Sequence, residues 1–408
     1  MTRKVLNPIT AATIIVIMYM TMPILSVFVS AYITTYAYML LALFLMCFIL
    51  LSGGISRLSS IIYVLFPFMI HVLCTYFTSE SSTLLWGYQS MLFLLPVIIG
   101  YYYFYHKPEN AYLLTIIVVF SLAVTVITTI VGLIQFPFAA RTLATISESD
   151  DPENIKYAWH NIGGYDFIYT SVLLYPVIIL SYKLKKIKLP VFLIIATALF
   201  ALIVLSEYAT ALILFLLSSL LYLVGKNIGA RQLLMLGVLF FLVIFFLWPI
   251  ISNLFLWLAD IFNSDVLKER LTALAGGITG LENSESKRIE LYEKSIQGFL
   301  SSPIFGKMMG SEMLSGGHSF ILDSLANYGI IGGAALFFAY KTIYKCFFKP
   351  FNNCKDFGFV LWAFAQAIIL SIINTGMWLN VLTLFIPVLL SFIYNLNSED
   401  NYENSLGN

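Results

Sequence analysis

Charge is the scarcest commodity in this chain. Only 11% of its 408 residues are Asp, Glu, Lys or Arg, against about 25% in soluble globular domains. An ordinary water-soluble fold is therefore excluded. The few charges nearly cancel, at a formal net of +1, so nothing calls for nucleic acid as a partner. Cysteine is equally thin. Cys47, Cys74, Cys346 and Cys354 form no Cys-x-x-Cys pair, and the first two lie inside apolar runs. Neither a disulfide framework nor a zinc site is expected. A cleavable leader is not expected either, because "MTRKVLNP" is a short basic start and the apolar run after it reads as a retained span. No internal repeat is visible, whereas transporters commonly show two related halves.

Apolar residues are what the chain does have, at 60%. Runs of roughly 18 or more recur along its length, and each can cross a bilayer of ~30 Å. The runs are continuous and do not alternate, which argues against a transmembrane β-barrel. The expected fold is all-α: a polytopic integral membrane protein of about twelve transmembrane helices, one membrane domain over 1–408. The spans are expected near 9–29, 32–52, 58–77, 84–104, 111–134, 165–182, 189–206, 209–224, 232–258, 319–340, 357–374 and 378–394. The basic loops "KLKKIK" (183–188), "GKNIGAR" (225–231) and "KTIYKCFFK" (341–349) are separated by even numbers of spans. The positive-inside rule then places all three, and both termini, in the cytoplasm. Two long outer loops follow, 135–164 and 259–318. They carry Arg141, Lys156, Lys268, Arg270, Lys287, Arg288, Lys294 and Lys307. Long loops cross irrespective of charge, so these residues are either incidental or placed for a ligand.

The second outer loop has helical periodicity of its own. "SDVLKERLTAL" repeats Leu267, Leu271 and Leu274, and "SESKRIELYEKSIQGFL" repeats Ile289, Tyr292, Ile296 and Leu300. Both read as amphipathic helices of the membrane interface. Ser284 or Ser286 is the expected cap of the second, and "SSPIFG", with Pro303 and Gly306, its end. Arg288 opens this helix. A guanidinium is a planar fork suited to phosphate. A solvated helix face is the plainer reading of the same residue.

The order "SKRIELYEKSIQGFLSSPIFG", a short gap, then "GHSFILDSLANYGIIGG" resembles the O-antigen ligase and O-antigen polymerase superfamily. Its members carry an Arg-led amphipathic helix ending in a Pro-containing turn. A His-Asn or His-Ser step then leads into a helix with Gly-x-x-Gly about nine residues on. Here that is His318-Ser319 and, nine residues later, Gly329-Ile-Ile-Gly332. The resemblance covers roughly 284–340. Upstream, the family often opens a span with Ser-Arg or Thr-Arg. In "VLSEYATALILF" Ser206 is present, but Glu207 and Tyr208 stand where the arginine is expected. That arginine is usual in the ligases, so its absence points to a polymerase. Either Arg141 supplies the missing cation or the donor is held differently.

The resemblance implies a metal-independent membrane glycosyltransferase of the GT-C type, without a cofactor. No Asp-x-Asp pair of the metal-dependent kind is present. Its substrate would be an undecaprenyl-pyrophosphate-linked oligosaccharide at the outer face of the bacterial cytoplasmic (inner) membrane. Its product would be a surface polysaccharide such as lipopolysaccharide O-antigen or capsule. Membrane lipid and a chain-length regulator are the partners implied.

His318 and Arg288 are the catalytic candidates. An imidazole titrates near neutrality and can take the proton of an acceptor hydroxyl. Fixed cations, Arg288 or Arg141, can stabilise a departing pyrophosphate. His318 could instead simply cap the helix that follows. Asp323 lies in an apolar helix, where a carboxylate is costly and functional by default, or else paired with a base. Glu207 is a second carboxylate base or a solvated turn. Tyr292 is assigned to substrate binding. His160, beside Trp159 and Tyr165 in "AWHNIGGYDF", is an interface anchor or a surface for stacking on a sugar.

Overall fold

The fold is that of a computed structural model. It describes residues 8–32, 94–105, 110–145, 151–224, 229–261, 285–306 and 315–394, with isolated positions between them. The described residues are helical throughout, with no strand among them. Numbered in chain order, the helices are α1 (Pro8–Thr21), α2 (Pro23–Tyr32), α3 (Leu94–Tyr105), α4 (Ala111–Gln135), α5 (Ala139–Thr145), α6 (Pro152–Trp159) and α7 (Tyr165–Lys183). Then come α8 (Leu189–Ser206), α9 (Ala209–Val224), α10 (Ala230–Ile261), α11 (Glu285–Ser301), α12 (Phe320–Ile343), α13 (Gly358–Ile373) and α14 (Ile386–Ile393).

Four helical stretches among the described residues are long and apolar enough to cross a membrane: Ala111–Gln135, Tyr165–Lys183, Leu189–Ser206 and Phe320–Phe351. Shorter apolar helices accompany them, among them Leu94–Tyr105, Ala209–Leu223 and Gly358–Ile373. Among the described residues the expected count of twelve is thus not confirmed, and two of the departures have local causes. The expected span 9–29 breaks at Met22, because Pro23 has no N–H to continue the ladder and instead opens α2. The expected span 378–394 starts with a π-helical turn, Val381–Phe385, after Trp378 adopts a left-handed φ of 57°. The expected spans 32–52 and 58–77 and most of "SDVLKERLTAL" lie outside the described residues.

The bundle is apolar on its outer face as well as in its core. Large apolar side chains face outward, such as Ile134 at 66% exposure, Ile194 at 68% and Phe246 at 76%. Soluble monomers rarely show such continuous apolar surface; a bilayer requires it. Hydroxyls and an amide lie inside. Ser218, at the middle of α9, accepts from Trp362 Nε1 (3.0 Å) and from Gln366 Nε2 (2.9 Å) on α13. These bonds tie helices together where packing alone gives little preference between protein and lipid. α7 is the central helix, packing against α8, α9 and α13.

The two ends of the bundle differ in charge. At one end, Lys183 Nζ donates to Asp356 Oδ1 at 2.7 Å. This joins the 183–188 turn to the 352–357 connection, as the sequence reading requires, and gathers Lys183, Lys185, Lys186, Lys188 and Lys355 there. The opposite end holds the start of α7, the α8–α9 turn, the start of α12 and the end of α13. Every functional candidate discussed next lies there.

Candidate active site

α11 and α12 build the first half of the site. The sequence between them returns through Gly316, whose Cα faces the Leu291 carbonyl so closely that a side chain would collide with it. Gly317 follows with φ +77°, a conformation that disfavours side chains. Ser319 then caps α12, its Oγ accepting from Leu322 N at 3.1 Å. Asp323, one turn into the helix, reaches back to the same loop. Its Oδ1 accepts from Ser295 Oγ (2.6 Å) and Gly317 N (3.2 Å), and its Oδ2 from Ser319 N (3.0 Å). Ser295 in turn accepts from Gly316 N at 2.8 Å. One carboxylate thus holds the amides on both sides of His318 and ties them to α11, while the His318 side chain stays exposed. Asp323 is half-buried, and its partners are a hydroxyl and two amides rather than the cation that the sequence reading allowed.

The cap assigned to His318 belongs to Ser319. The cap of α11 is not Ser286, which lies inside the helix, and Ser284 is outside the described residues. Position 288 sits one turn before Leu291 and two before Ser295, on the face of α11 that meets the His318 loop; the Arg288 side chain lies outside the described residues. The expected apolar stripe of α11 divides. Tyr292 is half-buried and donates to the Ile373 carbonyl at 2.9 Å, whereas Ile296 and Leu300 stay exposed at 45% and 68%. Ser295 and Gly298 are the residues packed on α12.

The turn after α11 docks into α12. Gly329 has φ +62° and breaks that helix internally, which frees the Ile330 N–H to donate to the Pro303 carbonyl at 2.8 Å. A Cβ at Gly329 would collide with the Ile304 carbonyl oxygen. The Pro-containing turn and the Gly-x-x-Gly step are therefore two halves of one joint.

The second half of the site surrounds the α8–α9 turn. Glu207 occupies this turn in the left-handed region, φ 63°. It is 3% exposed, not the solvated turn that was one of its two readings. Arg141 on α5 supplies its charge: Nη2 donates to the Glu207 carbonyl at 2.9 Å, and Nε lies 3.7 Å from Oε2. The position where the resemblance expects an arginine thus holds a glutamate, and the guanidinium that meets it from α5 is occupied in pairing with it. Tyr208 donates to the Ala140 carbonyl at 2.7 Å. Burial pushes its phenol above the usual range, reinforced by Tyr169, Asp166 and Glu207 and opposed by Arg141. It therefore remains a donor at neutral pH. Arg141→Ala leaves a buried carboxylate short of its cation. With the arginine side chain 43% exposed, water screens part of the pair, and a loss of about 2 kcal/mol is expected. Adding Glu207→Gln should restore most of it in a melting experiment in detergent. A double variant no more stable than the single one refutes this pairing.

The two halves meet at the turn after α13. Phe320 N donates to the Asn374 carbonyl at 2.9 Å. Four residues on, the Trp378 ring packs on Tyr165 (6.4 Å between centroids) and Tyr169 (5.7 Å). Tyr208 lies 5.6 Å from Tyr165. His318, Asp323 and Tyr292 are thereby linked, through Asn374, Trp378 and the tyrosine rings, to the turn that carries Glu207 and its partner Arg141. His160 takes no part in these contacts. It ends α6, exposed, against Phe136 at 5.1 Å. Its neighbour Asn161 is the structural residue there, accepting from Ile24 N (3.2 Å) and donating to Thr128 Oγ1 (2.9 Å). Sequence reasoning missed Ser295, Asn374 and Trp378. Only for Ser295 was a signal available, since it falls two helical turns after Arg288. Among the described residues no group of three or more His, Cys, Asp or Glu could hold a metal ion. No protein-family model matches the chain, and no curated protein matches it significantly.

Proposed function

We propose that the chain is a membrane glycosyltransferase of the O-antigen or capsule polymerase kind. It would transfer an undecaprenyl-pyrophosphate-linked glycan onto the next lipid-linked repeat unit. One observation carries the reading. An exposed imidazole, His318, is held by a carboxylate clasp against the helix that bears Arg288, at the end of an apolar bundle opposite its lysines. By the positive-inside rule the lysine end is cytoplasmic, so the His318 end faces outward, where lipid-linked repeat units are joined.

The step needs few parts. The acceptor hydroxyl gives its proton to the imidazole. Its oxygen bonds to the anomeric carbon of the donor glycan. The carbon–oxygen bond to pyrophosphate breaks, and undecaprenyl pyrophosphate leaves with the electron pair. Arg288 would stabilise that developing charge. The exposed Ile296 and Leu300 further along α11, and Ile304 in the turn after it, suit a helix lying at the interface. The Glu207–Arg141 arrangement, in place of the ligase-like Ser-Arg step, favours polymerase over ligase.

Deleting the gene in its own host and resolving the surface glycan tests the reading. A polymerase loss leaves single repeat units on lipid A-core. Lipid A-core without any repeat unit would mean a ligase. Repeat units retained on the cytoplasmic face would mean a transporter and refute the transferase.

A further inference from the structure

We propose that the start of α7 and the 374–378 turn form a binding subsite for a sugar ring, next to the His318 loop. The proposal rests on the transferase reading and adds where the acceptor glycan is held. Four observations converge on this place. Tyr165, at the first turn of α7, is the half-buried member of a cluster of four rings whose other members, Tyr169, Tyr208 and Trp378, are buried. Asp166, the next residue, is exposed, and its charge reaches the Tyr208 hydroxyl together with those of Arg141 and Glu207. Asn374 Nδ2 and Trp378 Nε1 are buried donors without a hydrogen-bond partner, in residues 6% and 5% exposed. Finally, Glu207 and Trp378, which flank the rings, both hold a left-handed φ.

Each of these is costly in a folding sense. A buried donor left unmade forfeits its hydrogen bond with water, and a non-glycine residue held in the left-handed region is strained. Structures retain such groups where an external oxygen completes them. The chemistry of the surroundings selects the ligand. Two carboxyl groups, Asp166 and Glu207, lie by the rings, and the nearby cation, Arg141, is ion-paired with Glu207. A pyrophosphate would meet a cation whose charge is already matched. A neutral polyhydroxyl ring suits all the groups: its C–H face lies on an aromatic side chain, its hydroxyls donate to a carboxylate, and its oxygens accept from the amide and indole donors. The subsite is tied to the proposed base through the backbone, since Asn374 O holds Phe320 N and Ile373 O holds Tyr292. Phosphate and sugar are thus separated, the first toward α11 and the second toward α7.

The test uses the full chain in lipid nanodiscs. The probe is the oligosaccharide released by mild acid from the lipid carrier of a strain deleted for this gene. Saturation transfer from protein to probe is read by NMR. Wild type should saturate the probe, as should Asp356→Asn at the opposite end. Asp166→Asn and Trp378→Phe, both close in shape to the native residues, should each weaken the signal at least fivefold. No transfer to wild type, or signals from both of these variants equal to wild type, overturns the subsite. Binding that depends on Asp166 while the same nanodiscs never join two lipid-linked units keeps the subsite and refutes the polymerase.

Discussion

Cells carrying His318→Ala are expected to make no long-chain polymer while holding the normal amount of the protein in their membranes. The two halves of that expectation have different sources. Loss of polymer follows from chemistry, because a positioned general base contributes about 10²–10⁴-fold and an alanine has no proton acceptor. Normal abundance follows from geometry. The His318 side chain is exposed, and what fastens this loop is the pair of amides at Gly317 and Ser319, which Asp323 holds whatever stands between them. His318→Gln should fail equally, since an amide keeps the polar outline but takes no proton near neutrality. Arg288→Ala should do comparable damage, with Arg288→Lys restoring only part of the polymer, because an ammonium cannot reproduce the two-pronged contact of a guanidinium with phosphate. The readout is the ladder of surface glycan against the tagged protein in the same membranes. A full ladder from His318→Ala removes the imidazole from the mechanism.

The helices at the centre were legible because their signal is local. Unbroken apolar runs over 111–134, 165–182 and 189–206 sit within a residue of α4, α7 and α8. Run length could not reveal that Pro23 would split a span, nor that the last one would open with a π turn. The motif around His318 was legible as an order of residues, but its mechanics were not. That Gly329 is a break which receives the Pro303 carbonyl depends on two segments more than twenty residues apart. Glu207 shows the opposite limit. A charged residue in a two-residue turn between spans is equally compatible with water. Only the approach of Arg141 from α5 decides for burial, and nothing in sequence spacing encodes that approach. Trp378 failed for a related reason. Its neighbours at 165 and 169 come from a helix that the chain visits long before.

Asp323→Ala is expected to lose both polymer and stability, which distinguishes it from His318→Ala. The substitution takes the acceptor away from two amides, at Gly317 and Ser319, and from the Ser295 hydroxyl. Hydrogen bonds to a charged group contribute about 1.5–3 kcal/mol each. Gly317 is exposed, so water can replace its bond, and the Ser295 hydroxyl can turn to the Leu291 carbonyl, 3.2 Å away, whereas Ser319 is 0% exposed and can recover little. A loss on the order of 2–3 kcal/mol is therefore expected, most of it from Ser319. It should appear as a lower melting temperature in detergent and a drop in membrane abundance. Polymer per molecule should fall at least tenfold, because the loop no longer fixes His318 against α11. Asp323→Asn is the sharper variant. Its carbonyl oxygen can still serve Ser295 and Gly317, but its NH2 now faces the Ser319 N–H, donor against donor. It should fold better than Asp323→Ala and still position His318 poorly, so stability and polymer should separate. If Asp323→Asn yields normal polymer per molecule, the carboxylate is only a cap for α12, and the placement of the imidazole has another origin.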